Sequence, residues 1–273
     1  MIRTVTALYG YQLLASDGVV GEVSDFLFDD DCWQVRYLVI EAGGWLSARR
    51  LIAPEAVHQP EWDARRLPAS LTKEQVRQSP EYDPSRPMSR DHEASLRGHY
   101  GWKGYWRGDG APVAPSAEGG RERAAVPDQH PEAVTSAVSP GAGADAEMAA
   151  AARGAEEAQL NRDEPQLRST RDVIGYHVQA TDGAIGHVED ILLDDQSWAV
   201  RFIVIDTRNW WPGKKVLLSP QSIQSVSWPE SHLVVTLTRD EIKNAPEYDP
   251  DSPPENAGLA YRRRDDERGG AEQ

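Results

Sequence analysis

Asp29-Asp30-Asp31, echoed later by Asp194-Asp195, is the densest run of oxygen ligands in the chain and the first place to look for a hard cation. Calcium takes about six or more oxygens in a shaped loop. The third acid becomes Gln196 in the later run, and neither run has the glycine or distal glutamate that would complete such a loop. Both therefore read as turns capped by their own carboxylates. The histidines (58, 92, 99, 130, 177, 187 and 232) show no metal-ligand spacing. His177 and His187 align with Gln12 and Glu22, which rules out a metal site common to both segments, so no metal and no other cofactor is expected. Cys32, the single cysteine, aligns with Ser197 and has no histidine nearby in sequence to activate it. Asp25 and Asp190 stand before the acidic turns, and Arg36 and Arg201 stand after them. Across a hairpin each aspartate could meet its arginine. General acid–base work needs a partner acid or nucleophile, and none is repeated. The pairs Asp25–Arg36 and Asp190–Arg201 are read as structural ion pairs. No catalytic residue is assigned and no enzyme activity is expected.

Binding chemistry has better candidates. Trp45 is followed by Arg49-Arg50, and Trp210-Trp211 by Lys214-Lys215. Aromatic and basic side chains together on a loop have the composition of a protein interface; the alternative is that each tryptophan plugs the end of a barrel. Residues 98–108, GHYGWKGYWRG, gather His99, Tyr100, Trp102, Tyr105 and Trp106 with two basic residues. This segment either folds back onto a domain or docks on a partner or membrane surface.

The elements that must position these residues occur twice. Residues 10–46 reappear at 175–211 with 17 of 37 aligned positions identical, and LTKEQVRQSPEYDP at 71–84 is matched by LTRDEIKNAPEYDP at 237–250. A repeat of this length is a small domain with its own core, not a solenoid unit. Asp17-Gly18 and Asp182-Gly183 supply turn chemistry, glycine being free to take positive φ. Residues 19–29 alternate as a curved strand, and WQVRYLVIE (33–41) is the strongest strand. Thr72 and Thr238 open short helical turns that Pro80 and Pro246 stop. The expected fold is all-β: two small barrels at 1–84 and 170–250, each with a short helical turn near its C-terminal end. A disordered linker rich in Ala, Gly, Pro and Glu spans 85–169, and a disordered tail spans 251–273.

The chain has 273 residues and a formal net charge of -15. The acid is spread evenly, and no segment forms a basic stripe. Nucleic-acid binding through phosphate neutralisation is therefore not expected. The N-terminus lacks the apolar core of a signal peptide, and no run approaches a membrane span. With one cysteine, these features predict a cytoplasmic protein, at most peripheral at a membrane.

The pattern G-Y-x-x-x-x-[ST]-D-G-x-x-G-x-V-x-D-x-L-x-D-D, then W-x-V-R-[YF]-[LI]-V-I and a closing E-Y-D-P, resembles the PRC-barrel family. It is carried by Gly10, Asp17, Gly18, Gly21, Val23, Asp25, Asp29, Trp33, Arg36 and Val39, and again by Gly175, Asp182, Gly183, Gly186, Val188, Asp190, Asp194, Trp198, Arg201 and Val204. The resemblance implies two tandem barrels and an assembly or interaction module, whose partner is another protein or a membrane-associated complex. It also brings two further readings by analogy. One is a part in quinone-linked electron and proton transfer, as in the photosynthetic reaction-centre H subunit. The other is assistance in ribosome maturation or RNA processing. The reaction-centre subunit's N-terminal membrane helix and the ribosome factor's different N-terminal domain are not expected here, where a second copy of the repeat takes the latter's place.

Overall fold

The computed structural model describes residues 1–42, 48–86, 88–105, 167–207 and 214–250. The chain is mostly β with few helices, arranged as two seven-stranded sheets. The first repeat supplies β1 (Ile2–Thr4), α1 (Val5–Leu8), β2 (Gln12–Ala15), β3 (Gly18–Asp29), β4 (Gln34–Ala42), β5 (Arg49–Ile52), β6 (Arg66–Pro68), α2 (Lys73–Gln78), β7 (Glu81–Tyr82) and α3 (Arg90–Tyr100). The second supplies β8 (Leu167–Ser169), α4 (Thr170–Val173), β9 (His177–Ala180), β10 (Gly183–Asp194), β11 (Val200–Asp206), β12 (Lys215–Leu218), β13 (Ile223–Ser227), β14 (His232–Val235) and α5 (Arg239–Lys243).

Local chemistry accounts for the hairpins. Gly18 and Gly183 take φ of +123° and +136° at the turns into the long strands β3 and β10, a region closed to most side chains. Asp17 and Asp182 each accept a hydrogen bond from the first backbone N–H of the following helix, Lys73 and Arg239, at 2.8 Å. Thr72 and Thr238 complete capping boxes with Gln75 and Glu241.

The two sheets run β6-β2-β3-β4-β5-β7 and β12-β11-β10-β9-β14-β13. Neither closes into a barrel, which corrects the expected pair of closed barrels. The reason lies in the long strands. β3 bends at a bulge between Val23 and Asp25, and β2 pairs only with its first half. The vacant edge of its second half is filled by β8, with Leu27 opposite Ser169 and Asp29 opposite Leu167. Reciprocally, β1 fills the same edge of β10, with Thr4 opposite Leu192 and Ile2 opposite Asp194. Each repeat thus lends its first strand to the other. Gln34 and Ala199 meet at the centre of this pseudo-twofold arrangement. There Val35 N–H donates to Trp198 O at 3.0 Å and Val200 N–H donates to Trp33 O at 2.8 Å.

The repeats do not keep separate cores. One apolar cluster runs through Val5, Phe26, Phe28 and Val35 of the first and Val173, Ile191, Trp198 and Val200 of the second. The expected linker at 85–169 is also shorter than its reading. Residues 90–100 form α3, capped by Ser89 and ended by Gly101 at φ +73°. It covers the outer face of β4 and β5, where Met88 and Leu96 pack with Tyr37, Val39, Leu51 and Ala53. Of the 98–108 segment, Tyr100 and Trp102 stack at 4.1 Å and fold back onto that face. Residues 106–166 and the 251–273 tail lie outside the described residues.

The shared edge strands and core make the repeats interdependent. Expressed apart, residues 1–105 and 167–250 are expected to give poorly dispersed amide spectra or homodimers, and mixing them should restore a single dispersed spectrum. A folded monomer from either fragment would contradict the exchange.

Candidate interaction site

The charged residues singled out in the sequence sit where the repeats meet, with partners other than those expected. Asp25 does not pair with Arg36. It accepts from the Ser169 hydroxyl, from Thr170 Oγ1 at 2.8 Å and from Arg171 N–H at 3.2 Å, all on the strand and helix arriving from the other repeat. Asp190 likewise does not pair with Arg201, but accepts from the Thr6 hydroxyl and backbone N–H. Arg36 pairs with Asp29 and Arg201 with Asp194, each at 3.2 Å. The cause is a second bulge in each hairpin. Leu27 faces Tyr37 and Phe28 faces Val35, so Arg36 is passed over and reaches the turn; Arg201 is passed over in the same way. The aspartates are structural clamps, but between repeats.

Burial pushes the Asp190 carboxyl above the usual carboxylate range, opposed by its hydrogen bonds from Thr6 and Ile191. The Cys32 thiol is also pushed up by desolvation, the opposite of an activated nucleophile. The basic residues of the tryptophan loops are engaged within the chain. Arg50 donates to Ser79 O at 2.8 Å, Lys214 to Lys243 O at 2.7 Å, and Lys215 pairs with Glu189. Arg49 stands in register between Glu41 and Tyr82. Trp45, Trp106, Trp210 and Trp211 lie outside the described residues.

Two clefts flank the pseudo-twofold centre, each walled by both repeats. The larger, about 1160 Å³, lies between the turn 195–198 of the second repeat and Pro54–Pro60 with Trp62 of the first. The smaller, about 750 Å³, lies between the turn 30–34 of the first repeat and Pro220–Val226 with Trp228 of the second. An arginine from each exchanged strand lies over the tryptophan of its own repeat: Arg3 over Trp62 at 4.3 Å, and Arg168 over Trp228 at 4.2 Å. Arg168 also pairs with Asp30 at 3.0 Å. The exchanged strands thereby hold the cleft walls together.

The larger cleft has an extra wall from the last turn of α3, which carries Arg97, and from the chain that leaves it, which carries Lys103 and Tyr105. Beneath it lies a buried polar network that sequence reasoning missed. Tyr37 donates to Glu93 Oε1 at 2.7 Å, Arg90 pairs with Glu93 at 2.9 Å, and Arg97 reaches both Tyr37 and Glu55. Burial drives the Tyr37 hydroxyl far above its ordinary value, so it stays protonated and donates. The sequence signal was Ser89 and Gly101, a helix start and stop around residues 90–100.

Residues 166–242 match the PRC-barrel domain. The match runs from β8 into α5, so it takes in the strand that is exchanged here; the first repeat lies outside it. Comparison with curated proteins gives no significant match. PRC-barrel domains commonly mediate protein interactions, and that is the function class the match supports for the second repeat. Among the described residues no helix is long and apolar enough to cross a membrane.

Two measurements check the clamps. Asp25→Ala leaves three donors without their acceptor and is expected to lower stability by about 2–3 kcal/mol. Arg201→Leu removes a half-exposed pair and is expected to change it by about 0–1 kcal/mol; denaturant melts that reverse this order would refute the assignment. The second measurement concerns pH. With its folded pKa raised, Asp190 binds its proton more tightly in the folded state, so its contribution to stability falls as pH rises through the carboxylate range. Asp190→Asn carries no such loss. Its melting temperature is expected to gain on the parent as pH rises above the ordinary aspartate pKa of about 3.9, and a constant difference would show that the folded pKa of Asp190 is not raised.

Proposed function

We propose that the chain is a non-enzymatic assembly module built from two PRC-barrel-type copies, the first repeat being the second copy. It docks another protein, or a membrane-associated complex, in the clefts at the repeat junction. The observation that carries this is the reciprocal strand exchange, which makes one body of two repeats and places both clefts across their junction. Each cleft is lined by tryptophan among polar and charged side chains, a composition that protein partners use. The repeated aspartates Asp25 and Asp190 cap backbone and hydroxyl groups of the other repeat, which is structural work.

A photo-crosslinking amino acid placed at His58 or Gln196 in the larger cleft, and at Gln78 on the exposed side of α2, tests this in the native host. A discrete adduct from both cleft positions and none from Gln78 is expected. Adducts from Gln78 alone, or from no position, would overturn the docking site. The captured protein then decides between a photosynthetic complex, a ribosomal particle and another assembly.

A further inference from the structure

The outer face of the second sheet carries a row of side chains that the first sheet lacks. His232 on β14 stands opposite His177 on β9, His177 opposite His187 on β10, and His187 opposite Asp206 on β11. Directly opposed residues on neighbouring strands put their side chains on the same face. The imidazoles of His177 and His232 lie 5.6 Å apart. The bulge between Val188 and Asp190 turns Glu189 to the same side, with a carboxylate oxygen 3.8 Å from His187 Nε2. Asp206, fully buried, brings a carboxylate oxygen to 4.0 Å from the same nitrogen. One ligand atom from each of His187, Glu189 and Asp206 falls within 4.8 Å of the other two. Gly186 lets the strands close this far: a Cβ there would stand 2.0 Å from Asp206 O.

We propose that His187, Glu189 and Asp206 form a binding site for a first-row divalent cation, with His177 beside His187 in register. One imidazole and two carboxylates suit zinc, cobalt or manganese better than calcium or magnesium, which take oxygen alone. The site belongs to the second repeat only. The matching positions of the first repeat are Gln12, Glu22, Ser24 and Glu41, with no nitrogen donor of this kind. The expectation of no metal rested on spacing along the sequence, and the ligands here are gathered across strands. Lys215, opposite Asp206 in register and paired with Glu189, puts an ammonium where the cation's charge would fall. Metal entry must displace that ammonium, which makes Lys215 a competitor and gives the proposal a signature that a plain ion-pair cluster lacks.

The test uses the full chain, titrated with cobalt(II) and followed by visible absorption, and with zinc(II) against a chromophoric chelator. One equivalent bound, with d–d bands of a four- or five-coordinate ion, is expected. His187→Gln and Glu189→Gln are each expected to weaken binding by at least about tenfold, the scale on which even outer partners of a metal act. His92→Ala, on α3 of the other repeat, should leave it unchanged. Lys215→Gln should tighten binding, whereas in a purely structural ion-pair network it would lower stability and leave metal affinity unaltered. Absence of binding by the parent chain, equal binding by all variants, or weaker binding by Lys215→Gln would each overturn the site. Circular dichroism of His187→Gln and Glu189→Gln separates ligand loss from misfolding, and two separate ligand variants keep the test decisive if one does not fold.

Discussion

A twelve-residue strand whose edge is only half covered by its own hairpin partner sets the problem that this molecule solves. β3 and β10 each bend at a bulge, and beyond the bend their outer backbone groups face away from β2 and β9. Left open, such an edge would be a template for pairing with other chains. The strand that fills it comes from the other repeat, and the aspartate at the bend receives the incoming chain. Asp25 and Asp190 hold the hydroxyl and amide groups where strand gives way to helix. Both repeats lie on one chain, so the exchange is an intramolecular event, favoured by the effective concentration that a tether provides. The merged core, the meeting of Gln34 with Ala199 and the two clefts all follow from that exchange.

The frame is nearly symmetric, and its departures from symmetry trace to single residues. Tyr37 stands where the second repeat has Phe202, and both are buried. The extra hydroxyl is matched by Glu93 and Arg97 of α3. A buried carboxylate stripped of such partners would be strongly destabilising, so tyrosine, glutamate and arginine form one unit with the helix that brings them. Among the described residues, the chain leaving α3 then deepens one cleft and not the other. A difference of one oxygen atom in a strand is thus coupled to the shape of a site near the repeat junction.

What the sequence made legible was what is local. Asp17-Gly18 and Asp182-Gly183 turned where expected, the long alternating segments became β3 and β10, and Thr72 and Thr238 capped their helices. The exchange was not legible, because Ile2-Arg3-Thr4 and Leu167-Arg168-Ser169 would fit the edge of either sheet equally well. The two edges are nearly the same sequence, so no local preference distinguishes self from other. The arginine partners were misassigned through a single bulged residue, which moves a side chain's reach by one position. Helix α3 was hidden because its buried side includes Glu93 and Arg97 beside Leu96, and charged residues on a packed face defeat a reading based on apolar periodicity.

The residues that make the frame recur in both repeats, as do the cleft tryptophans Trp62 and Trp228, and the proposed metal ligands do not. Asp25 and Asp190, Asp29 and Asp194, Arg36 and Arg201, Trp33 and Trp198 recur because each serves the exchange or the hairpin beside it. The outer rows at matching register differ at every position and keep charge type only at the end, where Glu41 and Arg49 answer to Asp206 and Lys215. Arg66, Gln12, Glu22, Glu41 and Arg49 cross the first sheet, while His232, His177, His187, Asp206 and Lys215 cross the second. Side chains on an outer face can change without disturbing the core beneath, since alternate residues such as Val178 and Val188 carry the packing. Duplication therefore gave this chain one shared scaffold and two separately adjustable surfaces, and chemistry peculiar to one repeat belongs on those surfaces and not in the frame.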